Sequence, residues 1–170
     1  MSELPTLAEV TQLREALRTV AGPEWEDENG HVNVQHFYGF HNRASDAEMT
    51  RIGFTEEYRT SGGCGVFSVE QHLRFFNEVR IGEEISGHLR WLERGDKVFH
   101  AVSIIVNHST GQIANTLEVL EAHVDLTTRR ARSMPDDLAA RVDEELALHT
   151  GLTWQVPLNG RMGVRGGARA

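Results

Sequence analysis

Lysine is nearly absent from this chain. Lys97 is the only one among 170 residues, so arginine carries almost all of the positive charge, and 17 basic residues face 25 acidic ones for a formal net charge of −8. Nucleic acids and anionic membranes select clustered positive charge, and this balance excludes both as expected partners. Cysteine is as scarce. Cys64 stands alone, so no intrachain disulfide can form, and it lies in Ser-Gly-Gly-Cys-Gly, read as a flexible loop without an adjacent base to activate a thiol. No apolar run approaches the roughly 20 residues that span a bilayer. The opening MSELPTLAEV has neither a basic n-region nor an apolar core, which predicts a cytoplasmic protein. HExxH, CxxC and dinucleotide fingerprints are missing too, so neither a metal nor a cofactor is expected. Among nine histidines, His31, His36 and His41 recur every five residues, which turns each by about 140° around a helix and scatters rather than gathers them.

What remains is a chain with 39% hydrophobic residues, enough for one core. Residues 1–150 are expected to form a single domain closing on a C-terminal helix, and residues 151–170, Gly- and Arg-rich at their end, a mobile tail. A mixed pattern over residues 4–17 suits a short helix and residues 18–25 a short strand. Phe37, Phe40, Ala44, Ala47 and Ile52 then recur at helical spacing, with Asn33 as the N-cap and Gly53 as the C-terminal stop. Over residues 66–76 the period changes to two, with Phe67, Val69, Leu73 and Phe75 on one face and Ser68, Glu70, His72 and Arg74 in a polar row on the other. Residues 84–92, 97–107 and 112–125 read as three more strands joined by short Gly-containing loops, hence antiparallel hairpins. A last helix spans 135–149, with Pro135 at its start and Asp136 and Asp137 suiting its dipole. One long helix followed by four antiparallel strands predicts an α+β fold in which the sheet wraps the helix.

The stretch Asp27-Glu28-Asn29-Gly30-His31-Val32-Asn33 gathers a carboxylate, a turn glycine, an imidazole and an amide immediately before that helix. Turn and cap chemistry alone would select such residues. A carboxylate beside helix N-terminal amides that lack partners also has the parts for acyl transfer: an attacking or base group, and donors for a developing oxyanion. Asp46 is read as a buried carboxylate among small and apolar neighbours on the helix. Arg129, Arg130 and Arg132 form the densest basic run.

The order of a short strand, Asp27-x-x-Gly30-His31-Val32-Asn33, a long helix and four strands resembles the hotdog-fold thioesterases, within them the 4-hydroxybenzoyl-CoA thioesterase-like group, over residues 18–135. The strand ending His123-Val124-Asp125, followed by Thr128, Arg129 and Pro135, is similar to the close of that family's last strand. Glu70-x-His72 and Phe76-x-Glu78-Val79 resemble, more weakly, the thioesterase-like domains of carnitine and betaine metabolism. Two departures stand out: many relatives continue GHVNN and carry a Tyr further on, where this chain has Val34 and Phe37. The resemblance implies a hotdog fold, acyl-CoA as substrate, hydrolysis to a free acid and CoA, and a homodimer or homotetramer with shared sites. It implies Asp27 as nucleophile or general base, with Asp46 on the helix as the second candidate carboxylate, the Val34 backbone amide as oxyanion donor, and His31 and Asn33 as supports. Glu70 and His72 would then be substrate-binding or interface residues, and Arg129, Arg130 and Arg132 would meet the CoA phosphates. Other outcomes on the same fold are a hydratase or dehydratase using Asp27 with His31, or an acyl-thioester binding protein without turnover.

Overall fold

Residues 4–164 are described in the computed structural model. The chain opens with one helical turn, α1 (Leu7–Val10), strand β1 (Glu15–Val20) and a 3-10 turn (Pro23–Trp25), then enters the long helix α2 (Val34–Ile52) and the short α3 (Glu56–Thr60). Strands β2 (Cys64–Phe75), β3 (Glu84–Arg94), β4 (Val98–Asn107) and β5 (Gln112–Asp125) follow, with a two-residue β6 (Arg130–Ala131) and the final helix α4 (Asp136–Thr150). All pairings are antiparallel, in the order β1-β3-β4-β5-β2, with β6 added to β5, so β1 and β2 are the edges. This is the expected α+β arrangement of an antiparallel sheet around one helix.

The start of the chain departs from expectation. The helix predicted over 4–17 shrinks to Leu7–Val10, set by a capping box between Thr6 and Glu9, and Glu15 onward pairs with β3 instead. The strand predicted over 18–25 stops at Val20, because Gly22-Pro23 opens a 3-10 turn in which proline has no amide to offer a ladder.

Helix α2 lies against the inner face of the sheet, and one glycine permits the approach: a Cβ on Gly87 of β3 would stand 2.7 Å from the Ala44 Cβ and 3.1 Å from the Phe40 ring. Phe37, Phe40, Val32, Val79, Ile85 and Ile105 close the core around the helix N-terminal half. Ile52, Phe54, Leu89, Trp91, Phe99 and Leu117 pack with Leu138 and Val142 of α4 around the other half. The outer face is covered by Val10, Leu13, Trp154 and Val156 over Val102, Ile104 and Ile113. Residues 151–164, expected as part of a mobile tail, are therefore packed. Arg90 lies over the Trp154 ring at 4.3 Å and donates to its carbonyl at 2.8 Å, and the Asn159 amide donates to Glu118. The aromatic and apolar side chains at 154, 156 and 162 are what the glycine and arginine content concealed. Residues 165–170 lie outside the described residues.

Strand β2 departs from strict alternation. A bulge between Ser68 and Glu70 shifts its register against β5, leaving Val69 61% exposed. Val66 and Ser68 face α2 before the bulge, Gln71 and Leu73 after it, so the predicted face of Phe67, Val69, Leu73 and Phe75 is split between the two sides. The polar row is broken at the same point. Cys64, expected in a flexible loop, is the buried first residue of this strand.

Between α2 and the sheet, fully buried His41 donates from Nε2 to Asn115 Oδ1 (3.0 Å) and accepts at Nδ1 from the Ser103 hydroxyl (2.8 Å). Burial pushes its pKa down to about 3, with Asn115 acting weakly against that. The unfolded chain therefore takes up a proton near pH 6.5 that the folded chain refuses, and stability falls as pH drops from about 6.5 toward 3. Burial lowers His88 and His149 as well, with the same sign. Urea denaturation is expected to lose about 1.4 kcal/mol per pH unit through His41 in that window, and His41→Gln to flatten the slope by about one proton.

Candidate active site

The segment 27–33 is held at both ends. The Asp27 amide donates to the His31 carbonyl (3.0 Å), the Asn33 amide to Trp25 (2.8 Å) and the Val32 amide to Val79 (2.8 Å). Within this loop Gly30 takes φ 79°, a left-handed conformation that favours glycine. The Asn29 amide donates to Asp27 Oδ1 (2.8 Å), closing an Asx turn, while Oδ2 faces His31 Nδ1 at 3.4 Å. The Asp27 side chain is 12% exposed. Burial works against its charge, but the Asn29 amide and the His31 ring outweigh it and hold the carboxyl below its ordinary value. Asn33 caps α2 by accepting from the Gln35 amide (3.0 Å). The Val34 amide has no protein acceptor among the described residues.

These groups meet in a hollow of about 390 Å³ lined by Asp27, His31, Asn33, Val34, Phe37 and the segment from Phe75, the last residue of β2, to Glu78. Phe37 and Phe75 pack edge to face at 5.6 Å as its apolar wall. The hollow thus combines an ionised carboxylate, a free helix N-terminal amide and an apolar wall, the three things acyl transfer asks of a site. Four of the residues singled out from sequence, Asp27, His31, Asn33 and Val34, stand together here. Asn77 was missed, since it lies on no pattern, and its side-chain amide donates to the Ile113 carbonyl.

A second hollow, about 450 Å³, lies further along the groove between α2 and the edge strand. Its floor is Leu89, Phe99, Ala101, Leu117 and Val119, its wall Phe54 and Tyr58, and its polar residues include Asp46, Ser68, Gln71 and Glu121. The Tyr38 hydroxyl donates to Gln71 Oε1 (2.8 Å), tying helix to strand between the two hollows. Asp46, expected to be buried, is exposed on α2 beside this hollow; Glu48 is the buried carboxylate of the helix and pairs with Arg51. Glu121 is not among the sequence candidates, although a carboxylate that continues the every-second-residue row of Leu117 and Val119 on an inner face is a legible signal.

The remaining candidates stand elsewhere. Glu70 and His72 line neither hollow: Glu70 is exposed on the edge strand and His72 Nδ1 lies 3.9 Å from Glu118 on the outer face. Arg130 and Arg132 line a shallow basin of about 410 Å³ with Lys97, a residue the sequence pattern did not join to them, and Arg129 lies over the Phe67 ring at 4.6 Å. All three arginines are at the Cys64 end of the β2–β5 pair, whereas Asp27 is at the Phe75 end, about 35 Å of strand away. Among the described residues no group of three or more His, Cys, Asp or Glu is placed to hold a metal ion, and no helix is long and apolar enough to cross a membrane.

Known proteins give this geometry a context. Residues 21–142 match the Thioesterase-like superfamily. A betainyl-CoA thioesterase of Pseudomonas aeruginosa is 28% identical over 143 residues, covering 84% of this chain and 90% of that protein. An L-carnitine dehydrogenase/betainyl-CoA thioesterase of Agrobacterium fabrum is 31% identical over 127 residues, 75% of this chain but only 26% of that longer protein. A Staphylococcus aureus protein solved in complex with CoA superposes with a TM-score of 0.80 at 17% identity, covering 89% of this chain and 96% of that one. The chain belongs to the thioesterase-like superfamily, with the hotdog fold. Its class of chemistry is thioester hydrolysis.

Because the Asn33 side chain holds the start of α2, Asn33→Ala is expected to lower stability by about 1 kcal/mol in thermal or urea unfolding.

Proposed function

We propose that this protein hydrolyses acyl-CoA thioesters with Asp27 as its reacting carboxylate. The observation that carries the reading is the pairing, in one apolar-walled hollow, of an ionised Asp27 with the Val34 amide, unpartnered among the described residues, at the start of a 19-residue helix. The carboxylate acts on the thioester carbonyl carbon, by direct attack or through a water from which it takes a proton. Either way negative charge develops on the carbonyl oxygen, and the Val34 amide with the positive end of α2 stabilises it before the C–S bond breaks and CoA leaves. His31 and the Asn29 amide orient Asp27, and Asn33 holds the helix end in place.

Betainyl-CoA, the substrate in the relatives' names, is the first thioester to offer this chain. The basin of Lys97, Arg130 and Arg132, with three basic residues against the one carboxylate of Asp125 that pairs with Arg132 at 3.4 Å, is suited to the phosphates of CoA. It is too far from Asp27 of the same copy to hold a CoA whose thioester lies there, so this assignment asks for a second copy. Strand β2 supplies the means: it is an edge with Val69 and Phe75 exposed, and Val34 and Tyr38 exposed beside it. Antiparallel pairing of β2 with its own copy would set the Phe75 end of one against the Cys64 end of the other. The active form is accordingly a homodimer, or a homotetramer built from it. Sedimentation at micromolar concentration is expected to show a dimer or larger; a monomer with full activity would remove the shared site.

Asp27→Asn keeps the acceptor oxygen that the Asx turn uses, so the variant is expected to fold and to bind acyl-CoA. It is expected to lose 10²- to 10⁴-fold in kcat, roughly 3–5 kcal/mol of barrier, measured by release of free thiol. Glu144→Gln, on the exposed face of α4, serves as the comparison. Near-parent hydrolysis by Asp27→Asn would reduce the loop to a turn and a cap.

A further inference from the structure

The second hollow has a composition that acyl-chain packing alone does not call for. Its floor and wall are apolar and aromatic, with Phe54 set edge-on to Tyr58 at 6.1 Å and against Phe99 at 6.0 Å. Two carboxylates nevertheless face it, Asp46 from α2 and Glu121 from β5, and neither has a basic partner among the described residues. Glu121 takes a single hydrogen bond, from the Ser68 hydroxyl at 2.8 Å, which is joined in turn by Gln71 at 3.1 Å. Burial raises its pKa, Ser68 opposes that, and the nearby charge of Asp46 adds to it. Arg59, the one basic residue on the wall, is exposed and donates to the Phe54 carbonyl at 3.2 Å. An aromatic wall with uncompensated negative charge suits a bulky, weakly hydrated cation that can offer no hydrogen bond, as a quaternary ammonium does.

We infer that this hollow reads the cationic head group of the acyl chain, with Asp46 and Glu121 as specificity-determining residues and Phe54 and Tyr58 as the wall that meets the head group's methyls. The inference rests on the thioesterase reading above and deepens it. Asp46 lies 13 residues along α2 from the N-cap, about 20 Å, so a short acyl group whose carbonyl sits at Asp27 cannot reach the hollow of its own copy. Pairing of β2 with a second copy brings the two together, because Phe75 borders one hollow and Gly65, Val66 and Ser68 border the other, at opposite ends of the same strand.

The test compares betainyl-CoA with 3,3-dimethylbutanoyl-CoA, which replaces the quaternary nitrogen by carbon and keeps the shape. Wild type is expected to favour the cation by about tenfold or more in kcat/KM, and Glu121→Gln and Asp46→Asn each to narrow that ratio by several-fold. Glu121→Gln keeps an acceptor for Ser68, and Asp46 is on the surface, so folding is not at stake in the second variant. A wild-type ratio near one, or a ratio unmoved by both variants, overturns the inference while leaving the hydrolase intact. Equal losses on both thioesters would make these carboxylates part of the chemistry and overturn it too. If wild type hydrolyses no acyl-CoA, the thioesterase reading fails, and calorimetric titration with tetramethylammonium chloride against sodium chloride decides the hollow alone. Binding that both variants weaken supports it, and no binding ends it.

Discussion

The seating of α2 on the sheet at Gly87 is the contact on which the rest of this structure depends. A side chain at that position would meet Ala44 and Phe40, so only glycine lets the helix come down onto the strands. With the helix there, its N-terminus is fixed beside the 27–33 loop and its C-terminal half beside the aromatic residues of α3 and β4. Both hollows are spaces between the same two surfaces. They lie along different stretches of the same helix, one at Val34 and Phe37 and the other from Asn42 to Met49, and their common wall is the edge strand.

Charge is distributed along that groove in a way the total of −8 does not convey. Asp27 stands at one end, Asp46 and Glu121 further along, and the cationic basin of Lys97, Arg130 and Arg132 beyond the strand end. An acyl-CoA is itself divided, with several phosphate charges at one end and an acyl group at the other. A surface that alternates acidic and basic patches can orient such a molecule before any close contact is made.

Much of this was legible in the sequence because it was local. Asn33 and Gly53 bound α2 through backbone requirements that act within one turn, and the Gly-containing loops mark where β3, β4 and β5, which are buried along most of their length, begin and stop. The 27–33 loop gathers its groups within seven residues, so turn and cap rules were enough to find it. What escaped notice was set by distant partners. Glu15 enters a strand because β3 is there to pair with it, and Trp154 is buried because Arg90 and Gln12 receive it. Asp46 was assigned to the interior from its small neighbours, yet helix geometry turns Glu48 inward instead, where Arg51 compensates it. The polar row of Ser68, Glu70, His72 and Arg74 rests on a period of two that the bulge at Val69 interrupts.

That bulge gives β2 two phases. On one side of Val69 the inward positions are even-numbered and furnish Val66 and Ser68; on the other they are odd-numbered and furnish Gln71 and Leu73. Each half can therefore change its residues without reference to the other, and the two hollows along the strand are free to diverge in chemistry. Length is another matter. Removing or adding one residue on either side would exchange inside for outside over that half, so β2 accepts substitution readily and insertion hardly at all.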